Sequence, residues 1–355
     1  MGSAAYAAAR PARSARWTTV IPGAVVTRQP PALHGSRPSQ LLDRVAPVFP
    51  DLGVLELRQG AVAGDYGWIV TPDGVLLPDH AWHGPGARRG WIRQTTGREF
   101  RVERLKGRAL SLATFAGANN FGHFLMDSLP RIHLAELAGM GPGDVDHVIV
   151  NVPAPRLWPI LEQLGIPADR VVQGRPGVAL RPDRLIAPSF PGVRCNYQPW
   201  LPAWLRARLG PSVVRRHRRI YVPRLHARRI LNIDDLLPVL LEHGFETVDP
   251  GDHPDPFRMF AEATVVVGVH GAGLTDLAFC APGTAVLELL PEGHQAPYYY
   301  TLADSAGLRY GHLVVESRLD ALPEGSPPNK ADVWVDPVEF RAAVEATLEQ
   351  AAAAV

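Results

Sequence analysis

Val265-Val-Val-Gly-Val-His-Gly-Ala-Gly-Leu-Thr-Asp-Leu-Ala-Phe279 passes from an apolar, β-branched run into a turn of small residues holding one histidine, and then into a helical pattern. Strand, glycine turn and helix start are the parts with which α/β proteins bind phosphate. Glycine lets the backbone approach the ligand, and the first amides of the helix carry partial positive charge. The turn, Gly268-Val-His270-Gly271-Ala272-Gly273, has His at the third position of the dinucleotide fingerprint, where that motif needs Gly. It also lacks the Lys-Ser/Thr pair of a P-loop. The segment therefore points to a phosphate-bearing ligand held by neither the common NAD device nor the common ATP device.

Outward from this turn the pattern is regular. Strands are predicted at residues 219–222, 245–248, 264–269, 284–289 and 312–315, with helical patterns near 232–243, 256–263, 273–281 and 295–306. Such alternation implies a parallel, doubly wound sheet with right-handed crossovers, and the His270 turn falls at its ligand-binding edge. Upstream, helical stretches near 121–138 and 157–165 alternate with short strands at 146–150 and 184–188, a second α/β half. Residues 18 to 100 read as a β-rich N-terminal region in which Thr71-Pro-Asp-Gly74 turns between two apolar runs. The expected plan is a disordered basic tail (1–17), an α/β domain with its β-rich opening (18–210), a nucleotide-binding domain (211–322), and a linker with a closing helix (323–355). That helix, with Asp336 as N-cap and Pro337 at its first position, is expected to dock back toward the first domain.

Composition narrows the function classes. The chain has 355 residues, 46% hydrophobic and 20% charged, enough for two cores, and a net charge of +1 gives no global field to recruit nucleic acid. Two cysteines, Cys195 and Cys280, suit a reducing compartment, and no stretch is long enough to span a bilayer. A cytoplasmic location is expected, with peripheral membrane association left open. Histidines and cysteines show no zinc spacing, and Asp144-Val-Asp146 reads as surface rather than as a metal motif.

Three constellations could carry chemistry. At the glycine turn, His270, Gly271, Ala272, Gly273 and Thr275 could present amides, an imidazole and a hydroxyl to a diphosphate, and Glu288 on the next strand could accept hydrogen bonds from a ribose; a capped tight turn is the plainer alternative. Between Arg206 and Arg229 lie nine arginines and no acidic residue. Arg224, Arg228 and Arg229 follow a strand, which puts them in a loop at the ligand edge, where guanidinium groups can neutralise a leaving diphosphate. RNA binding is the competing use of such a run, without aromatic interleaving to support it. In Asn119-Asn120-Phe-Gly-His123-Phe-Leu-Met-Asp127-Ser-Leu-Pro130, a helix starting at Phe121 puts His123 and Asp127 on one face, so the carboxylate can orient the ring and raise its basicity. A capped helix with a polar face explains the same residues.

These blocks, in this order, resemble glycosyltransferase family 61. The likeness rests on Asn119 to Pro130, on Tyr221-Val-Pro-Arg224 with Arg228-Arg229-Ile-Leu-Asn232, and on Gly268 to Thr275 followed by Pro282-Gly283-Thr284 and Glu288. The resemblance implies two Rossmann-like domains facing across a cleft (GT-B type), a nucleotide-sugar donor, UDP-linked, held by the C-terminal domain, inversion at the anomeric carbon, and no cofactor or metal. It further implies that Arg224 to Arg229 and the His270 turn face the donor. His123 and Asp127, with Asn119 and Asn120 beside them, would then face a glycan or polysaccharide acceptor. Asp276, Ile233 and Pro254-Asp-Pro256 depart from the family's usual residues. A non-catalytic nucleotide- or glycan-binding scaffold is the alternative that those departures leave standing.

Overall fold

The computed structural model describes residues 2–80, 100–212 and 214–353. The chain divides into two compact units, Met1–Val26 with Ala46–Arg194, and Thr27–Val45 with Cys195–Val355.

In the first unit, α1 (Ser3–Ala8) precedes β1 (Ala15–Ile21). The disordered tail expected for residues 1–17 is corrected here. Ser3 donates its N–H and its hydroxyl to Asp79, each at 2.9 Å, and the buried Tyr6 donates its hydroxyl to Asp73 at 2.5 Å. Composition suggested disorder because the carboxylates that receive Arg10 and Arg16, namely Asp73 and Glu56, lie far along the sequence. Besides a small two-stranded ribbon of Ala24–Val25 with Val48–Phe49, the remaining strands of the main sheet are β2 (Leu52–Arg58), β3 (Ala61–Ala63), β4 (Trp68–Val70), β5 (Leu76–Leu77), β6 (Arg101–Ser111), β7 (His147–Ile149), β8 (Val171–Val172) and β9 (Val178–Pro188). The predicted turn at Thr71 closes the β4–β5 hairpin, with Gly74 at φ +82° in the left-handed region that glycine tolerates.

The sheet order is β8-β7-β6-β9-β3-β4-β5, with β2 paired to β9 and β1 to β2. β8, β7, β6 and β9 are mutually parallel, and the other pairings are antiparallel. By chain order these four parallel strands are arranged third, second, first, fourth, as in half of a Rossmann sheet. The order reverses between β6 and β9, and in open α/β sheets ligands bind beyond the strand ends at such a switch point. The segment that leaves β6 there is a helical turn Phe121–His123, a π-helical turn Phe124–Ser128, and α2 (Arg131–Leu137); α3 (Trp158–Gln163) follows β7.

In the second unit, β10 (Arg218–Val222), β11 (Glu246–Thr247), β12 (Ala263–Val269), β13 (Ala285–Pro291) and β14 (Arg309–Ser317) form a parallel sheet in the order β11-β10-β12-β13-β14, as the spacing predicts. The short strand Ala32–His34 adds to β14 in parallel, and β15 (Val333–Trp334) adds antiparallel. This order has its own switch point, between β10 and β12, so the loops after those two strands share the ligand edge. From Val265 onward β12 is apolar and buried, because a central parallel strand is covered on both faces. Val265, Val267 and Val269 form a core with Leu287 and Leu289, with Leu236, Val239 and Leu240 of α5 (Ile233–Glu242), and with Phe340, Ala343 and Val344 of the C-terminal helix Pro337–Ala352.

Two further expectations are corrected. The domain boundary expected at residue 210 falls earlier, after Arg194, because α4 (Leu201–Leu209), which buries Leu201, Trp204, Leu205 and Leu209, belongs to the second unit. Arg206 fastens α4 by donating to the carbonyls of Ala278 and Cys280, at 3.1 and 3.2 Å. The closing helix, expected to dock on the first domain, packs inside the second unit's own core. Two more helices complete that unit, α6 (Pro256–Ala261) and α7 (Tyr298–Ala306), and the closing helix is α8 (Pro337–Ala352).

Candidate active site

In the first unit, Pro130 shapes the site. It has no N–H to offer an i→i−4 bond, so the helix expected over 121–138 breaks before it into a π-turn, with Leu129 N–H donating to Phe124 C=O at 3.1 Å. Asn120 is the N-cap, extended at φ −140°, and its side-chain oxygen accepts from His123 N–H at 3.3 Å. His123 Nδ1 lies 2.6 Å from Asp127 Oδ2, and Asp127 is buried. Asn119 is exposed and donates its backbone N–H to Ala116 C=O at 3.2 Å. Burial disfavours a charged His123, but the charge of Asp127 and its hydrogen bond outweigh that, and the imidazole's pKa is raised above 6.5.

Sequence reasoning missed the next member of the series. Arg131, one helical repeat after Asp127, is fully buried, and burial lowers its pKa to about 9 against the opposing pull of Asp127. It donates to Ala113 C=O at 2.7 Å and to Pro188 C=O at 2.6 Å, tying the segments that leave β6 and β9 across the switch point. The i, i+4, i+8 spacing of His123, Asp127 and Arg131 is the signal that could have found it.

In the second unit, the His270 turn leads into a 3-10 helix, Ala272–Phe279, rather than the α-helix predicted. At Gly271 a Cβ would lie 2.5 Å from Arg224 Nη1 and 2.6 Å from its Cζ, so the guanidinium sits directly on the turn's backbone and any side chain at 271 would displace it. Gly273 is packed against Val222, with a Cβ position 2.9 Å from Val222 Cγ1. Arg228, at φ +60°, donates Nε–H to His270 C=O at 2.8 Å and Nη1–H to Asn329 C=O at 2.6 Å. Burial first, and then the charge of Arg224, lowers the pKa of Arg228. Two guanidinium groups are thus brought together against one turn.

Three predicted residues take other parts. Glu288 is wholly buried in mid-strand opposite Gly268; His270 Nδ1 lies 2.5 Å from its Oε1, and Tyr310 donates its hydroxyl to Oε2. Its expected role as a ribose ligand is therefore corrected: both oxygens are engaged inside the protein, where they orient His270. Thr275, expected to offer its hydroxyl to a diphosphate, is buried, with the Tyr299 phenol beside it. Arg229 turns away to Asp332, with Nε–H and Nη2–H donating to Oδ2 at 3.0 and 2.6 Å and its backbone N–H donating to Oδ1 at 2.9 Å.

Asp146 of the Asp-x-Asp triplet accepts from Arg108 N–H at 2.7 Å, a structural use. Among the described residues, no helix is long and apolar enough to cross a membrane.

One α/β unit thus carries a carboxylate-held histidine and the other carries two arginines on a glycine turn, each at a switch point of its sheet. The sequence model of the family described as Glycosyltransferase 61 matches residues 121–287, a span that contains His123, Asp127, Arg224, Arg228 and His270 and stops one residue short of Glu288. Over that span, just under half of the chain, the sequence is similar to glycosyltransferase family 61. It is 36% identical over 56 residues to a beta-1,2-xylosyltransferase of Arabidopsis thaliana, covering 16% of this chain and 10% of that protein. It is 26% identical over 132 residues to the alpha-1,3-arabinosyltransferase XAT3 of Oryza sativa subsp. japonica, covering 35% and 23% respectively. It is also 38% identical over 56 residues to the beta-1,2-xylosyltransferase RCN11 of the same rice, covering 16% and 10%. The matched segments thus span between 10% and 23% of those relatives' own length.

Proposed function

We propose that the protein is an inverting glycosyltransferase of GT-B type that moves a sugar from a UDP-linked donor to a hydroxyl of a glycan acceptor, without a metal. The observation that carries this reading is the pair of guanidinium groups, Arg224 and Arg228, held on the backbone of the His270 turn at a switch point. Fixed cations there neutralise charge that develops on a departing diphosphate and need no reorganisation when it does. His270, with Nδ1 toward Glu288, would direct Nε2 at the same oxygens.

His123 is the proposed base. With Nδ1 engaged by Asp127, the ring accepts a proton at Nε2. The acceptor oxygen attacks the anomeric carbon, its proton passes to Nε2, and the bond from that carbon to the diphosphate oxygen breaks with its electron pair going to the diphosphate. The named relatives are xylosyl- and arabinosyltransferases, so UDP-xylose and UDP-arabinose head the donor panel. UDP at a hundred times its Kd should stabilise the protein by about 2.7 kcal/mol. Slow release of sugar to water should follow when the donor is supplied. His123→Ala should lower turnover by about a hundredfold or more while UDP affinity holds; normal turnover in that variant would remove the base assignment. UDP binding with no donor hydrolysis would favour the scaffold.

A further inference from the structure

The loop that leaves β13 at the same sheet edge carries an imidazole with no part in the mechanism above. His294 meets the His270 ring edge-on, with centroids 4.8 Å apart and planes at 90°. Its backbone N–H donates to Pro291 C=O at 2.8 Å, which fixes the loop. Three groups act on it electrostatically: His270, Arg228, and Arg44 from the N-terminal segment that belongs to this unit. The remaining ionisable groups nearby have other engagements. Glu288, behind His270, bonds to His270 and Tyr310. Glu292, two residues before His294, pairs with Arg37. From α7, Tyr298 and Tyr299 bring phenols toward His270, and burial keeps the Tyr299 phenol protonated.

Every charge acting on His294 is therefore positive or potentially so. Burial first, and then His270, Arg228 and Arg44, push its pKa down to about 3, which leaves it neutral while the site is empty. A diphosphate beside it would reverse the sign of the local field and favour the imidazolium.

We propose that His294 is a further ligand of the donor diphosphate and that it enters the complex with a proton taken from solvent. Nucleoside diphosphate and one proton then bind together, and the proton leaves when the diphosphate leaves. This rests on the donor-site reading above. The sign follows from linkage: where the bound state holds more protons than the free state, affinity falls as pH rises, by up to about tenfold per pH unit. Raising the pH therefore favours release of the product diphosphate.

The test is titration calorimetry of UDP into the full chain near pH 6, in buffers of different ionisation enthalpy, for the wild type and for His294→Gln. UDP's own phosphate ionisation is common to both proteins and cancels in the difference. The wild type should take up more protons per UDP than the variant, by up to one, and its Kd should rise more steeply with pH. Equal proton uptake and parallel pH profiles would overturn the proposal. Should His294→Gln not fold, nitrogen-detected histidine NMR of the wild type decides, since His294 must change from neutral ring to imidazolium on adding UDP; an unchanged neutral ring refutes it. If UDP gives no heat in any buffer and no histidine shift, the donor-site reading itself has failed, and the role of His294 falls with it.

Discussion

His123 shows how one contact decides the direction of a pH effect. Burial alone would lower its pKa, while the charge and hydrogen bond of Asp127, at 2.6 Å, raise it above 6.5. A base must be neutral to act, so turnover should rise with pH through that raised value, and the acid limb of the wild-type profile should have its midpoint above 6.5. Asp127→Asn keeps the shape and removes the charge, so burial is no longer outweighed and the midpoint should fall below the wild-type value. A kcat/KM profile of both proteins checks this, and an unmoved acid limb would assign it to another group. The pair is linked to stability with the same sign. A histidine with a raised folded pKa stabilises fully below 6.5, and that contribution is lost as pH rises through the folded value. Both residues were legible in the sequence because they are local, four positions apart on one turn. Glu288 was legible as a site residue but not in its role, since nothing near it in sequence says that His270 and Tyr310 will occupy both its oxygens. His294 gave no local signal at all, since the Arg44 whose charge acts on it lies 250 residues earlier in the sequence.

At the scale of elements, the second unit's parallel sheet was legible because apolar, β-branched runs alternate with helical periods, the two-residue β11 (Glu246–Thr247) being the exception that its neighbours Phe245 and Val248 made visible. β6 was not. Arg101-Val-Glu-Arg-Leu-Lys-Gly-Arg mixes charge with few β-branched residues, and its pairing with β9 and β7 makes it a strand, tertiary context overriding propensity. The π-turn and the 3-10 helix escaped for a related reason, because apolar periodicity does not distinguish i→i+3, i→i+4 and i→i+5 bonding. The closing helix was legible as a helix down to its cap, with Asp336 accepting from Val338 N–H at 2.8 Å and Glu339 N–H at 3.0 Å, but its docking partner was not. Its face of Phe340, Ala343 and Val344 fills the core beneath β12 and β13. Phe340→Ala should therefore cost about 3–5 kcal/mol, the usual price of a large core truncation. Asp336→Ala should cost about 1 kcal/mol, the loss of one N-cap. Denaturant unfolding measures both; a Phe340→Ala protein as stable as wild type would show that α8 is peripheral.

Across the whole molecule, the second unit is discontinuous in sequence, and that has consequences for both stability and ligand binding. Thr27–Val45 leaves the N-terminal region to join Cys195–Val355, lays Ala32–His34 beside β14, and brings the charge of Arg44 within electrostatic reach of His294. Its anchor is Arg28. Nη1 donates to Thr301 C=O at 3.0 Å, to Asp304 Oδ2 at 2.9 Å and to Ser305 Oγ at 3.0 Å, and Nη2 donates to Tyr197 C=O at 2.6 Å. Asp304 also accepts from Gln29 N–H at 2.9 Å, so carboxylate and guanidinium pin adjacent residues of the incoming segment. The Arg28 side chain is only 3% exposed and that of Asp304 14%, which takes the pair out of the regime where solvent screening makes ion pairs nearly worthless. Removing one member of a buried pair leaves the other charge uncompensated, and Arg28→Ala should destabilise the protein by about 3–5 kcal/mol. Removing both charges should cost less than removing one, so Asp304→Asn added to Arg28→Met should recover part of the loss. Urea unfolding of the single and double variants measures this, and equal, small effects in both would show the segment to be loosely attached. Because the same segment holds Arg44, Arg28→Ala should also weaken UDP binding, although it lies outside the arginine pair on the His270 turn. Variants that lose stability and keep full UDP affinity would separate the anchor from the site.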